Sequence, residues 1–214
     1  MKKKMYQNVA ANYFREHSSI FLFIIVLFLM GVIFGAIVVN SMSFTQKQDL
    51  FYYLSQFFGE VSSGKVAPNS DLFVQSFFHN SKFIFFIWVL GISIIGVPVI
   101  LILLFIKGLV IGFTVGFLVS QMSWKGFLLA LVSILPQNLI IIPVFIIMAA
   151  LSVSFSLKMI KKQFMKKYSH PILPEFKKYI FVLILAVIFI SGASGIEAFF
   201  SPGLMKTIMN SFKL

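Results

Sequence analysis

The stretch FIKGLVIGFTVG, residues 105–116, places a glycine at every fourth position of an otherwise apolar run. The glycines are Gly108, Gly112 and Gly116, and Lys107 stands directly before the first of them. Residues four apart lie on one face of an α-helix, so these glycines form a groove into which the backbone of another helix can pack. The stretch therefore predicts a helix in close contact with a neighbour.

Composition indicates the class of protein to which this helix belongs. Hydrophobic residues make up 59% of the 214 residues, charged residues only 11%, and 28 residues are phenylalanine. Soluble domains carry about 45–50% apolar and about 25% charged residues. The sequence therefore predicts an all-α polytopic membrane protein, with residues 1–214 forming a single membrane domain.

The net charge of +12 raises the question of a nucleic-acid partner. Such a partner requires basic residues gathered on one folded surface, whereas the lysines here stand mostly between apolar runs. The charge is therefore interpreted as membrane topology, without a nucleic-acid partner. The chain has no cysteine, which excludes disulfides, thiol catalysis and thiolate metal ligands.

Basic segments predict the orientation of the helices, because positive residues near short loops stay on the cytoplasmic side. The inner basic loop, 158–178, holds seven lysines and one glutamate, and four basic residues lie among the first 19. Placing both segments inside requires an even number of crossings between them, so the apolar region 83–120 is predicted to form a hairpin that turns at Lys107. The C-terminus is then outside. The five predicted spans are 20–39, 83–106, 108–121, 127–157 and 179–200.

At a cytoplasmic turn, the Lys107 ammonium is predicted to reach the lipid headgroups and act as an anchor. Gly31 and Gly35 form a second notch, in the first span. We favour packing of the glycine grooves within one chain, while an interface between copies in a homo-oligomer stays open, because both kinds of contact use such grooves.

Four residues interrupt the predicted fourth span: Pro136, Gln137, Asn138 and Pro143. Each proline removes a backbone donor, so this helix is predicted to bend or break near mid-membrane. We favour hydrogen bonding of the two amides to freed carbonyls and neighbouring helices, and ligand binding at a broken helix stays open. No carboxylate is placed deep in a span, and Glu197 is predicted near the outer end of the last one.

Short amphipathic helices are predicted to lie flat on the outer membrane surface. In the outer loop, 41–81, one helix follows Thr45 as its cap and a second begins near Asn69 or Ser70. A C-terminal helix, 201–214, is predicted with Ser201 as its cap. The candidate partner surface on these helices consists of Phe51, Leu54, Phe57, Phe58, Leu204, Ile208 and Phe212.

Residues suited to catalysis are scattered along the chain. His17, His79 and His170 fall on different sides of the membrane under this topology, so they cannot build one metal site. No HExxH, GxSxG or phosphate-binding glycine loop occurs. We therefore expect no catalytic site, metal or cofactor.

Two stretches carry a resemblance to a known family. FFHNSKFIFFIWVLGISIIGVPVILILLFIKGLVIGFTVGFLV (77–119), followed by SILPQNLIIIPVFI (133–146), resembles the stage II sporulation protein M family of endospore-forming bacteria. The wider family commonly has Pro-His-Gly-x-x-Glu in the second stretch. Here Gln137, Asn138 and Ile141 replace the His, Gly and Glu, so a role for that His–Glu pair is not transferred.

The resemblance implies a non-enzymatic scaffold in the mother-cell membrane, at the sporulation septum and the engulfing membrane. It would recruit the lytic transglycosylase protein D and the amidase and endopeptidase protein P of the same sporulation stage, for septal peptidoglycan remodelling and forespore engulfment. The alternative is a small transporter, permease subunit or channel that uses the broken fourth helix. Besides these enzymes, membrane lipid is an expected partner, through the lysines of the inner basic loop.

Overall fold

The computed structural model describes residues 18–63, 68–93, 95–164 and 172–212. These residues form six helices and no strand. The helices are α1 (Ser18–Ser41), α2 (Phe44–Ser62), α3 (Asn69–Ile92), α4 (Gly96–Ser133), α5 (Leu135–Phe164) and α6 (Ile172–Phe212). The predicted all-helical class is confirmed.

Four of these helices are long and apolar enough to cross a membrane. The segments are Ser18–Ser41, Gly96–Ser133, Leu135–Gln163 and Leu173–Ile208, which belong to α1, α4, α5 and α6. This supports the expectation of a membrane protein. The five crossings and their orientation stay predictions, because α3 packs along α5 and α6 but is not among the four.

The predicted hairpin at Lys107 is wrong. Helix α4 runs unbroken through Lys107, and the chain reverses instead between Ile92, the last residue of α3, and Gly96, the first of α4. A Cβ on Gly96 would overlap the carbonyl of Leu90, so the reversal is tight enough to need glycine there. Pro98 lies in the first turn of α4, where backbone N–H groups have no partner within the helix. The predicted spans 83–106 and 108–121 are thus replaced by α3 and α4.

Helices α1 and α4 meet along a seam of glycines. A Cβ on Gly31, Gly35, Gly108 or Gly112 would overlap a backbone carbonyl oxygen of the opposite helix, and one on Gly116 would lie 3.1 Å from the Cα of Ala36. The facing residues advance in the same direction along both helices, so α1 and α4 run parallel. The pairs are Gly31 with Phe105, Gly35 with Leu109, Gly108 with Phe28, Gly112 with Val32 and Gly116 with Ala36.

Buried apolar side chains form two clusters, and the smaller one marks one end of the bundle. The larger cluster joins α1, α3, α4, α5 and α6, and includes Ile24, Ile84, Leu104, Phe145 and Ile190. The smaller cluster consists of Phe58, Val61, Leu118, Leu129, Ala130 and Met205. We call the end that holds this smaller cluster the upper end. The lower end holds Ser93, Ser156 and Glu175, with the Ser156 hydroxyl donating to the Ser93 carbonyl at 2.9 Å.

The upper part of α4 folds back on itself. Ser123 has φ 49° and ψ −126°, and it is the only non-glycine residue with positive φ in the described part of the chain. A Cβ on Gly126 would overlap the carbonyl of Leu118, eight residues earlier, so the chain has turned back by that point. The segment 124–133 therefore packs beside the preceding part of α4 at the upper end.

The break predicted near mid-membrane in the fourth span lies elsewhere. A single residue, Ile134, separates α4 from α5, and it packs against the smaller cluster at the upper end. Pro136 is the second residue of α5, where a missing N–H leaves the helix intact. Pro143 is the proline inside α5. The chain break therefore lies at Ile134, between α4 and α5, whereas Pro143 stays inside a continuous helix.

The amphipathic segments also differ from the prediction. Ser43, not Thr45, caps α2, and it forms a capping box with Gln46. The predicted helix near Asn69 does begin there but continues as α3 to Ile92. Ser201 starts no new helix, because α6 passes through it and its buried hydroxyl makes no hydrogen bond with the described residues.

Candidate functional site: a polar core inside the bundle

Lys107 lies near the middle of the part of α4 that precedes Ser123, and its side chain points into the bundle. Its ammonium nitrogen is 5.6 Å from the ring centroid of Phe83 on α3 and 5.1 Å from that of Phe145 on α5. At such distances the negative faces of aromatic rings attract a cation. The expected role as an interfacial anchor at a turn is therefore wrong: the side chain is half-buried between two rings.

A carboxylate lies in the same interior. Glu197 on α6 is half-buried and accepts a hydrogen bond from the hydroxyl of Ser76 on α3. The Ser76 hydroxyl also lies 3.1 Å from that of Ser194, one helical turn before Glu197. Ser76 and Ser194 are both buried. The carboxylate of Glu197 therefore faces a neighbouring helix within the bundle, and its predicted position near the outer end of a span stays a prediction.

Lys107 and Glu197 form no direct ion pair with each other. In the described part of the chain the ion pairs join Glu175 to Lys158 and to Lys178. We call Ser76, Asn80, Lys107, Ser194 and Glu197 the polar core.

Sequence reasoning missed Ser76, Asn80 and Ser194, although α3 carries a signal. Ser76 and Asn80 stand at the start of a buried stripe with helical spacing, which continues through Ile84, Ile87 and Gly91. Asn80 is 2% exposed, and its amide donates to the carbonyl of Ser76 at 3.0 Å. Polar residues at helical spacing on the inward face of an apolar helix indicate a polar interior.

The polar residues of the fourth span are not assembled into a common site. The side-chain amide of Asn138 donates to the carbonyl of Ile134 in its own first turn, at 2.8 Å. Pro136, Gln137 and Asn138 are half-buried at the upper end, while Pro143 is exposed further along α5. Asn138 thus bonds to the backbone four residues earlier, which is a local contact and links no second helix.

The candidate partner surface is divided by the fold. Phe58 is 7% exposed and belongs to the smaller cluster, so its inclusion in that surface is wrong. Leu54 and Ile208 pack partly against the same cluster. Phe51, Phe57 and Leu204 are exposed. The side chain of Phe212 lies outside the described residues.

Exposed aromatic residues that the sequence reading omitted lie on the same helix. Tyr52 and Tyr53 are each 67% exposed and Phe44 is 75% exposed. Together with Phe51 and Phe57 they spread around the exposed part of the helix, and we call this set of five side chains the aromatic face of α2. Helix α2 therefore has one side fixed in the smaller cluster and another side open.

Near the lower end, Tyr179 connects three helices through hydrogen bonds and ring stacking, and we call Tyr179, Trp88, Ser152 and Phe155 the aromatic joint. The Tyr179 hydroxyl on α6 donates to the Trp88 carbonyl on α3 at 2.8 Å and lies 2.6 Å from the Ser152 hydroxyl on α5. Its ring stacks on those of Trp88 and Phe155. Three helices are thus fixed to one another just inside the lower end.

The inner basic loop, 158–178, is only partly described. Helix α5 extends into it as far as Phe164, α6 begins at Ile172, and residues 165–171 lie outside the described part. His17 and His170 are likewise outside it. Within the described ranges, no group of three or more His, Cys, Asp or Glu side chains is placed to hold a metal ion.

Comparison with known proteins gives one informative result. Residues 24–202 match the family described as Stage II sporulation protein M. Comparisons with curated proteins and with solved structures give no significant match. Because the family match covers most of the chain, the protein belongs to the stage II sporulation protein M family.

Proposed function

We propose that the protein is a membrane scaffold without enzymatic activity, which holds peptidoglycan-degrading enzymes at the membrane during sporulation. The enzymes are the lytic transglycosylase protein D and the amidase and endopeptidase protein P of the same stage. The proposal rests on family membership and on one observation: helix α2 is anchored to the bundle on one side and opens an aromatic face on the other.

The anchoring of α2 suits a docking element. Phe58 and Val61 are buried against Leu118, Leu129 and Met205, so the helix is fixed to the bundle at the upper end. It is not among the four segments that can cross a membrane. A rigid helix loses little conformational freedom when a partner binds, which favours affinity.

The aromatic face has the composition of a binding surface. Tyr52, Tyr53 and Phe57 are exposed, and the rings of the two tyrosines lie 6.0 Å apart. Aromatic residues are enriched where proteins bind partners. The only charged residues of α2 are Lys47, Asp49 and Glu60. The face therefore suits a partner with a mixed apolar and hydrogen-bonding surface, such as a membrane-proximal domain of a wall enzyme.

The location that we propose for the scaffold also rests on its family membership. The scaffold lies in the mother-cell membrane at the septum and later in the engulfing membrane, with the upper end facing the wall. In that arrangement the aromatic face of α2 positions the hydrolases for septal remodelling and engulfment.

Co-purification tests the proposal. A variant with Tyr52→Lys, Tyr53→Lys and Phe57→Lys is isolated from sporulating cells in mild detergent beside the wild-type protein, and bound proteins D and P are quantified. The control is Thr45→Lys, an exposed change about two helical turns before Tyr52 on the same helix, which keeps all the aromatic side chains. We expect the triple variant to lose most of both enzymes and the control to keep them.

The protein level in the membrane is measured in parallel, so that a loss of the scaffold itself is recognised. If the triple variant stays as abundant as the wild type and still recovers both enzymes in full, the aromatic face is not their docking site. If neither enzyme co-purifies with the wild type, the scaffold proposal itself is wrong.

A further inference from the structure

Helix α3 carries polar side chains on the face that points away from the bundle. Its buried residues, among them Ser76, Ile84 and Gly91, face the neighbouring helices. The opposite face holds exposed residues at three- and four-residue steps, and we call them the outward stripe: Gln75, His79, Lys82, Phe86 and Val89. The upper half of this stripe is polar and its lower half is apolar.

Hydrogen bonds to α6 fix the depth of the outward stripe. The Ser76 hydroxyl donates to the Glu197 carboxylate, and the Tyr179 hydroxyl donates to the Trp88 carbonyl. Both of these α6 residues lie inside the segment of α6 that is long and apolar enough to cross a membrane. Lys82 stands midway between Ser76 and Trp88, so it lies beside the middle of that segment.

Lys82 is unusual for a surface that faces lipid. It lies about 15 Å along the helix axis from Ile92 and about 20 Å from Asn69, so both ends of α3 are beyond the reach of its side chain. Charged side chains at such depth face a bundle interior or pair with an opposite charge. By contrast, the exposed side chains of α1 between Leu22 and Val38 are all apolar. The ion pairs in the described part of the chain do not include Lys82, so its charge has no counterpart there.

We propose that the outward stripe binds a transmembrane helix of another protein, which carries a carboxylate side chain at the depth of Lys82. A carboxylate gives the ammonium both an opposite charge and hydrogen-bond acceptors. Gln75 and His79 add polar side chains of the kind that hydrogen-bond across membrane helices. Phe86 and Val89 suit the apolar remainder of such a helix. The outward stripe lies on another helix than the aromatic face of α2, and its partner is itself anchored in the membrane.

A second copy of this chain does not supply the required carboxylate. Among the described residues, the exposed acidic side chains are Asp49 and Glu60 on α2 and Asp71 in the first turn of α3, far from the depth of Lys82. Two outward stripes packed against each other would also bring like charges together. The partner is therefore a helix of different sequence.

Association with designed helices in liposomes tests the proposal. The purified full-length protein carries a donor fluorophore, and a leucine-rich transmembrane peptide with an acceptor fluorophore carries Asp, Leu or Lys at its central position. Energy transfer gives the apparent dissociation constant of each peptide. We expect the Asp peptide to bind about tenfold more tightly than the Leu peptide, the ratio typical of a polar contact between membrane helices. The Lys peptide is expected to bind no more tightly than the Leu peptide.

A variant locates the effect. Lys82→Met is expected to bind the Asp peptide no more tightly than the Leu peptide. Lys206→Met, the same change at an exposed lysine near the upper end, is the matched control and is expected to keep the preference. Equal binding of the Asp and Leu peptides by the wild type, or a preference that persists in Lys82→Met, overturns the proposal.

Disulfide cross-linking shows which surface the peptide covers. The chain has no cysteine, so single-cysteine variants react at one known position. Phe86→Cys, one helical turn from Lys82, is compared with Ile33→Cys on α1; the two native side chains are 50% and 59% exposed. We expect an Asp peptide with a cysteine one turn from its Asp to cross-link mainly to Phe86→Cys. Equal cross-linking of both variants, or a Phe86→Cys protein that cross-links to a second copy of itself in preference to the peptide, contradicts the proposal.

Discussion

The backbone of Gly112 lies directly against the backbone of Val32, with no room for a side chain between them. An added Cβ at Gly112 would overlap the Val32 carbonyl oxygen and lie 2.8 Å from the Val32 Cα. Helix α1 thereby approaches α4 as closely as two helices can. Because lipid tails are as apolar as leucine, membrane helices associate through such close packing more than through the hydrophobic effect.

Gly112→Leu is expected to separate α1 from α4 and to destabilise the protein. Overpacking usually costs about 1–3 kcal/mol, and a clash with backbone cannot be relieved by a rotamer change, so we expect at least the upper value. For a chain of this size the loss corresponds to a fall in Tm of about 6–12 °C.

Gly192→Leu is the matched control, because nothing lies within 4 Å of a Cβ added at Gly192 on α6. Thermal unfolding in detergent and the protein level in membranes compare the two variants. A Gly112→Leu protein as stable and abundant as the control would show that the seam tolerates separation.

Phe58→Ala is expected to loosen α2 from the bundle. Phe58 is 7% exposed, and removing a buried phenylalanine side chain costs about 3–5 kcal/mol. The neighbouring Phe57→Ala, at an exposed position, is expected to change stability by no more than about 0.5 kcal/mol. Limited proteolysis of α2 in the two variants reads out the difference. Equal protection of α2 in both would show that the smaller cluster does not hold the helix.

Helix content and the packing glycines could be anticipated because they depend on local pattern. Long apolar runs define membrane helices, and glycines spaced by four define a groove. The sequence predicts the turn between α3 and α4 at the wrong place, because Lys107 is the only charge in the apolar run 83–120 and a lone charge usually marks a helix end. The chain in fact turns between Ile92 and Gly96, and in the sequence this turn is marked only by Gly96 and Pro98, which are weaker indications of a turn.

The polar core could not be predicted as a site because its members are remote in sequence. Ser76 and Glu197 stand 121 positions apart, and only packing of α3 against α6 brings them together. No local pattern indicates that the rings of Phe83 and Phe145 flank Lys107. Likewise, Phe57 and Phe58 have the same side chain, and only the position of the bundle decides which one is buried.

Tyr179→Phe is expected to weaken the lower end without disturbing the ring stack. The change removes the hydrogen bond to the Trp88 carbonyl and leaves the Ser152 hydroxyl without this partner. Hydrogen bonds between membrane helices contribute about 0.6–2 kcal/mol, so we expect a fall in Tm of about 2–6 °C. Tyr52→Phe, at an exposed tyrosine, is the control and is expected to have no effect. Identical Tm values for the two variants would mean that the joint is held by ring stacking alone.

Pro136→Ala is expected to leave the protein nearly unchanged. A proline in the interior of a helix costs about 3 kcal/mol, but Pro136 is the second residue of α5, where the backbone N–H has no partner within the helix. We therefore expect Tm to stay within about 2 °C of the wild type, and co-purification of wall enzymes to be unaffected. Asn138→Leu, which removes the hydrogen bond to the Ile134 carbonyl, serves as the comparison and is expected to lower Tm more. A large change of Tm in Pro136→Ala, with little in Asn138→Leu, would restore a central role for the proline break.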